Sequence, residues 1–438
     1  MRRYAALGLA AALAGCSAAS IGGLAPRAAS PSAKHALLTG GRGTIDSLVK
    51  VTVITKAQME GGIAGPVVTE IGGKPLCDAT LYAIVYQTIG VHGEPANASE
   101  ALMVPDAGCK GPFPLVGYAH GTNLSRAQLI TDPKTTNPNF TAPDQDPIVV
   151  AAIFAGHGYV VSATDYLGLG KSTYPYHPYL QVESEASAVI DAMRAARTAA
   201  KQLGVALDGK VVLAGHSQGG QVAVGTQRAI ERDEPGEFRL EGTIASSGPY
   251  ALTQTFIDSL HHQSEDAPVL AAYILTGYQK TYKNIYDDPT QVFKDPYAGY
   301  IDTLLPTQTY AQENDVLDGK LLPLSTKDLL TPQWRQSFLT DPRSGARVDT
   351  HLNDLLYGWK PKAEIYLCGG SRDPEVEYKN ALLAQKYFNG LGAPYQLFNV
   401  NSFIPASVPL VDYHVTVAVI CLPLIREAYF DPMFSSAK

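Results

Sequence analysis

Two periods of hydrophobic spacing trade places along this chain. From about residue 80 come short β-rich runs, "TLYAIVYQTIG", "ASEALMVP" and "FPLVGYAHG", the last closing on a glycine turn. The spacing then alternates. "DPIVVAAIFAGHG" reads as a helix and "YVVSATD" as a strand; "ESEASAVIDAMRAARTAAKQLG" carries apolar residues at helical spacing, and "KVVLAGHS" is a buried-strand pattern. The helix "QGGQVAVGTQRAIER" and the strand "FRLEGTIASSG" follow. This alternation predicts an α/β fold with a mainly parallel central sheet and helices on both faces. Ligands of such sheets bind beyond the carboxyl ends of the strands.

The alternation stops near residue 250 and resumes at "AEIYLCGG". Residues 253–360 between the two are helix-forming but irregular, rich in Tyr and broken by "DDPTQ", "KDPYAGY" and "LTPQW"; they read as an inserted helical cap between a first core part, 46–252, and a second, 361–438. The tyrosines there read as core more readily than as a binding face. The chain closes with the strand "APYQLFNV" and an apolar helix, "HVTVAVICLPLIREAYF", expected to break or kink around Pro423. No internal repeat is present.

The N-terminus alters the picture of where the protein works. "MRRYAALGLAAALAGC" has two arginines, an apolar core too short to span a bilayer and a small-residue end, the pattern of a secretory signal. Leu13-Ala14-Gly15-Cys16 resembles a bacterial lipobox, so residues 1–16 read as a lipoprotein signal with Cys16 as the lipidated residue. Residues 17–45, rich in Ala, Ser, Gly and Pro, read as a flexible tether. The expectation is an exported protein held to a membrane surface by lipid chains at its N-terminus, or secreted. Charged residues make up 17% of the 438 and the net charge is −7, which leaves no basic field for nucleic acid.

Candidate chemistry centres on Gly215-His216-Ser217-Gln218-Gly219, a G-x-S-x-G match on a strand-to-helix turn. A serine hydroxyl is a weak nucleophile until an imidazole takes its proton, so a carboxylate and a His are needed further along. Asp373 follows the strand that resumes the sheet, and His414 is expected on a loop between the last strand and the last helix. Asp165, Glu375 and Asp412 compete as the acid but read as capping or solvated. The oxyanion calls for preset donors. The backbone N–H of Gln218 supplies one and that of Thr122, in "GYAHGTNLS", a second; His120 reads as structural. There is no H-E-x-x-H and no Cys/His cluster at zinc spacing, so no metal site is expected. His261-His262 reads as a surface pair, and Ser47-Leu48-Val49-Lys50 as a chance S-x-x-K match without companion motifs.

Together "AHGT", "GHGYVVSATDYLGLG" with "HPYL", "GHSQGG", the Asp373 loop and "DYH" resemble the secreted lipase and esterase branch of the α/β-hydrolase superfamily, which includes bacterial cell-wall-degrading esterases and fungal secretory lipases. The resemblance spans roughly residues 80–435. It implies an α/β-hydrolase core, cleavage of small-molecule, lipid or cell-wall esters without a cofactor, and a cap between the Ser-bearing and Asp-bearing parts. In that fold Cys77 and Cys109 lie in neighbouring segments, as do Cys368 and Cys421, which favours those two disulfides; buried free thiols are the alternative for the second pair. Two rivals stand: a peptidase or acyltransferase using the same acyl-enzyme, and a surface-tethered binding protein that has lost turnover.

Overall fold

A computed structural model of the chain describes residues 41–106, 108–132, 143–261, 264 and 266–435. Cys16 and most of the expected tether therefore lie outside the described residues. The body begins earlier than the expected boundary at 45. Arg42 Nε sits 2.9 Å from both carboxylate oxygens of the buried Asp191.

Among the described residues nine strands form one sheet in the order β1-β2-β3-β5-β4-β6-β7-β8-β9. They are β1 Ile45–Ile54, β2 Ala79–Ile89, β3 Pro95–Pro105, β4 Phe113–Ala119, β5 Val160–Thr164, β6 Leu207–His216, β7 Arg239–Ser246, β8 Glu364–Gly369 and β9 Tyr395–Asn399. From β5 across to β9 every pairing is parallel, while β1, β2, β3 and β5 pair antiparallel. The parallel strands have helices on both faces, so each reads as a near-continuous apolar run; every residue of β4 and β5 is buried.

Side-chain alternation divides the core between the two faces. On one, Val116 and Tyr118 of β4 with Val212 and Ala214 of β6 pack against helices Pro147–Ile153 and Leu410–Ile425. On the other, Leu115, Val211 and Leu213 meet helices Val182–Gln202 and Gln218–Asp233. The helix Lys379–Leu391 extends that second layer, with Phe388 packed among Ile365 and Leu367.

Helices also fill the chain between β7 and β8, the longest being Ala267–Tyr282. Phe256, Tyr273, Leu329 and Phe338 belong to a separate apolar core there, and Tyr273 and Tyr278 are buried in it. Of the break or kink expected around Pro423, the break is not found. The helix runs through it to Ile425 and is followed directly by a π-helical turn, Arg426–Phe430. Disulfides join Cys77 to Cys109 and Cys368 to Cys421. The second ties β8 to the helix Leu410–Ile425.

Candidate active site

Ser217 occupies the turn between β6 and the helix Gln218–Asp233 with φ 56° and ψ −124°. For a residue with a side chain, such backbone costs on the order of 1–3 kcal/mol and must be held by its surroundings. Its N–H donates to the Ser246 carbonyl at 2.9 Å, and its own carbonyl accepts from Gly220 N at 2.9 Å. Smallness on either side is compulsory. A Cβ on Gly215 would come within 2.2 Å of the Gly219 carbonyl oxygen, and one on Gly219 within 1.9 Å of the Ala119 carbonyl oxygen.

Asp373 follows β8 on a loop and is 5% exposed. One carboxylate oxygen accepts from His414 Nδ1 at 2.8 Å and from Ser247 Oγ at 2.9 Å; the other accepts the backbone N–H groups of Glu375 and Val376 at 3.0 and 3.1 Å. Four donors thus converge on the carboxylate. The bond also sets the proton of neutral His414 on Nδ1 and leaves a basic lone pair on Nε2.

His414 departs from the expectation of a loop. It lies within the helix Leu410–Ile425, in its second turn, because the apolar run that follows it begins earlier than the sequence suggests. Its ring packs 4.5 Å from that of His216, the residue preceding Ser217, and both histidines line the same cleft as the serine.

Thr122 lies on the loop after β4 and also lines the cleft. Its carbonyl accepts from Gln145 Nε2, whose Oε1 accepts from Gln128 Nε2 at 2.6 Å, and its hydroxyl meets Tyr179 OH at 2.7 Å. With carbonyl and hydroxyl both engaged, this residue has a fixed orientation. His120 beside it is 2% exposed, bonds the Gly121 carbonyl through Nδ1, and is pushed by burial down to about 4, so it is a neutral structural imidazole.

The competing acids fall in different places. Asp165 is not solvated: it is buried, accepts from Ser99 Oγ and Ile130 N, and braces the loop that leaves β4. Glu375 is closer to the chemistry than its sequence position implied, with a carboxylate oxygen 3.7 Å from His414 Nε2. Sequence reasoning passed over Ser247, Gln145 and Tyr179. Ser247 had a usable signal, since it stands at the carboxyl end of β7, where sheets of this kind place their ligands.

The cleft encloses about 320 Å³. Leu124 and Leu180 come from the sheet side, and Leu252, Phe256, Leu270 and Ile274 from the helical segment. Among the described residues no group of His, Cys, Asp and Glu could hold a metal ion, and no helix is long and apolar enough to cross a membrane.

A parallel sheet extended by antiparallel strands at one edge, with a strained serine on the strand-to-helix turn of β6, defines an α/β-hydrolase. Residues 140–296 match the model of the secretory lipase family. The rice cell wall degrading esterase LipA from Xanthomonas oryzae is 36% identical, over 89% of this chain and 99% of that one, with a TM-score of 0.77. Candida antarctica lipase A in its closed state is 15% identical, over 82% of this chain and 76% of that one, with a TM-score of 0.59, a likeness of fold. No curated protein sequence matches. The chain belongs to the family of secretory lipases and LipA-type esterases and is a carboxylic-ester hydrolase.

Proposed function

We propose that the chain is an exported esterase or lipase that works through Ser217, His414 and Asp373 and a covalent acyl-enzyme. The observation that carries this reading is the 2.8 Å bond from His414 Nδ1 to Asp373, in a cleft that His414 shares with Ser217. His414 Nε2 takes the Ser217 proton as Oγ attacks the ester carbonyl carbon, and the backbone N–H groups of Gln218 and Thr122 receive the oxyanion. The imidazolium returns its proton to the departing alkoxide. A water, deprotonated by the same Nε2, then attacks the acyl carbon, and Ser217 leaves with its proton restored.

The apolar walls from residues 253–360 support this segment as a cap that takes the acyl chain. Each methylene buried there contributes about 0.8 kcal/mol, so kcat/KM on p-nitrophenyl esters is expected to rise about fourfold per methylene beyond acetyl until the chain outgrows the cleft. A series from acetyl to palmitoyl tests this, and a flat profile from acetyl to hexanoyl contradicts it. The lipobox-like Cys16 supports export with a lipid anchor, and the name of the LipA relative makes cell-wall esters a substrate class to include in the series.

A further inference from the structure

Gln218 fills the variable position after the nucleophile, where the turn asks for nothing but a backbone N–H. Its side chain is nevertheless 1% exposed and committed to a buried polar cluster. The amide nitrogen donates to Glu185 Oε1 at 2.6 Å and to His177 Nε2 at 2.9 Å. His177 Nδ1 lies 2.8 Å from the Leu167 carbonyl, which only accepts, so the ring proton is on Nδ1 and Nε2 is the acceptor Gln218 needs. Burial pushes His177 down to about 3, which keeps it in this neutral form. Glu185 Oε1 is fixed in turn by the Leu180 N–H at 3.0 Å. Both amide hydrogens of Gln218 are therefore used, on partners 33 and 41 residues away in the chain.

The cluster is expensive for a merely structural one. Gln218 Oε1 and Glu185 Oε2 are buried without a hydrogen-bond partner, and an apolar side chain at the first position of the helix would avoid that desolvation. Its location accounts for the expense. The ψ of −124° at Ser217 sets the plane of the 217–218 peptide, and with it the direction of the Gln218 N–H. That angle is strained, and the carboxamide clamp holds the residue on the far side of the same peptide.

We propose that Glu185 and His177 are positioning residues that clamp the Gln218 side chain and thereby aim the Gln218 backbone N–H at the oxyanion of the transition state. The proposal rests on the reading of Ser217 as nucleophile. Gln218→Met keeps the backbone donor and most of the side-chain volume but abolishes the clamp. Losing one oxyanion donor outright lowers rates about 10²–10³-fold, so misdirecting it is expected to lower kcat about 10–100-fold with KM within about twofold. The affinity for an alkylboronic acid, which forms a tetrahedral adduct, should fall by the same factor. Glu185→Leu should behave alike, whereas Glu185→Gln, which retains the acceptor oxygen, should restore kcat to within about threefold of wild type. These measurements use the full chain, with the melting temperature recorded for each variant; should Glu185→Leu not fold, Gln218→Met carries the test alone. A folded Gln218→Met with wild-type kcat, or with lowered kcat but unchanged boronate affinity, overturns the proposal. Full activity in Ser217→Ala would instead remove the nucleophile reading beneath it, while a dead Ser217→Ala beside a fully active Gln218→Met removes the clamp alone.

Discussion

The sheet and the helical segment between β7 and β8 contribute to one cleft in opposite ways. On the sheet side backbone groups anchor the candidate nucleophile and acid: Ser217 by the Ser246 carbonyl, and Asp373 by two N–H groups of its own loop. The helical side offers mainly aliphatic and aromatic side chains, packed on a core of its own. Backbone-held groups have one geometry, so their chemistry is lost when one is changed. An apolar wall can be reshaped residue by residue, changing which acyl chain fits while the reaction stays the same.

The contrast is sharpest in rate. Ser217→Ala is expected to lower kcat about a millionfold, and Asp373→Asn about 10⁴-fold by unsettling the His414 tautomer, both with melting temperatures close to wild type. A drop below tenfold for either, measured on the best p-nitrophenyl ester, breaks the comparison on the sheet side.

The wall should answer differently. Phe256 is 2% exposed, lines the cleft and packs 4.8 Å from Phe338. Phe256→Ala is expected to cost about 3 kcal/mol of stability and to move the optimum toward longer acyl chains, with turnover of the acetyl ester within about threefold. An unchanged chain-length profile in a folded variant would mean that this wall does not meet the acyl group.

The Cys368–Cys421 bridge ties the strand before Asp373 to the helix that bears His414, closing a loop of 53 residues. Replacing both cysteines by Ala should lower stability by about 4 kcal/mol by the chain-entropy argument, read from urea unfolding. Activity should fall with it, because the strand before the acid and the helix of the imidazole lose their covalent tie. Replacing Cys77 and Cys109, which join elements away from Asp373 and His414, should lower stability alone.

A smaller effect concerns pH. Burial pushes Glu185 up to about 8 and Asp165 up to about 6, so both hold protons in the folded state that the unfolded chain releases above about 4.5. Their contribution to stability is lost as pH rises toward 8. Burial holds His177 and His120 down at about 3 and about 4, so the unfolded chain binds protons below about 6.5 that the folded one refuses, and stability falls as pH drops. The melting temperature should therefore peak between about pH 5 and 6, and Glu185→Gln should reduce the loss between pH 5 and 8. An unaltered alkaline slope in that variant would contradict the assignment.

The same division explains what the sequence made legible. The buried parallel strands and their helices were readable because a strand covered on both faces becomes an apolar run, and Ser217 and Asp373 were readable because they stand directly at strand ends. β1 was not: it is an edge strand, half of it exposed, with two register shifts that spoil its alternation. The helix Lys379–Leu391 leaves a weak pattern because it buries a narrow stripe, and the helix of His414 is hidden at its start by exposed Leu410 and Val411. Gln145, Tyr179 and Glu185 make contacts between distant segments, which no local pattern announces.

In the proposed reaction Ser217 Oγ attacks the ester carbon while the N–H groups of Gln218 and Thr122 receive the oxyanion. The most direct measurement is a crystal structure of the enzyme inactivated by a p-nitrophenyl alkylphosphonate. The account predicts phosphorus bonded to Ser217 Oγ, the phosphoryl oxygen within about 3 Å of both backbone nitrogens, and the alkyl chain against Phe256. Phosphorus on another residue, or a phosphoryl oxygen turned away from those two N–H groups, would contradict it.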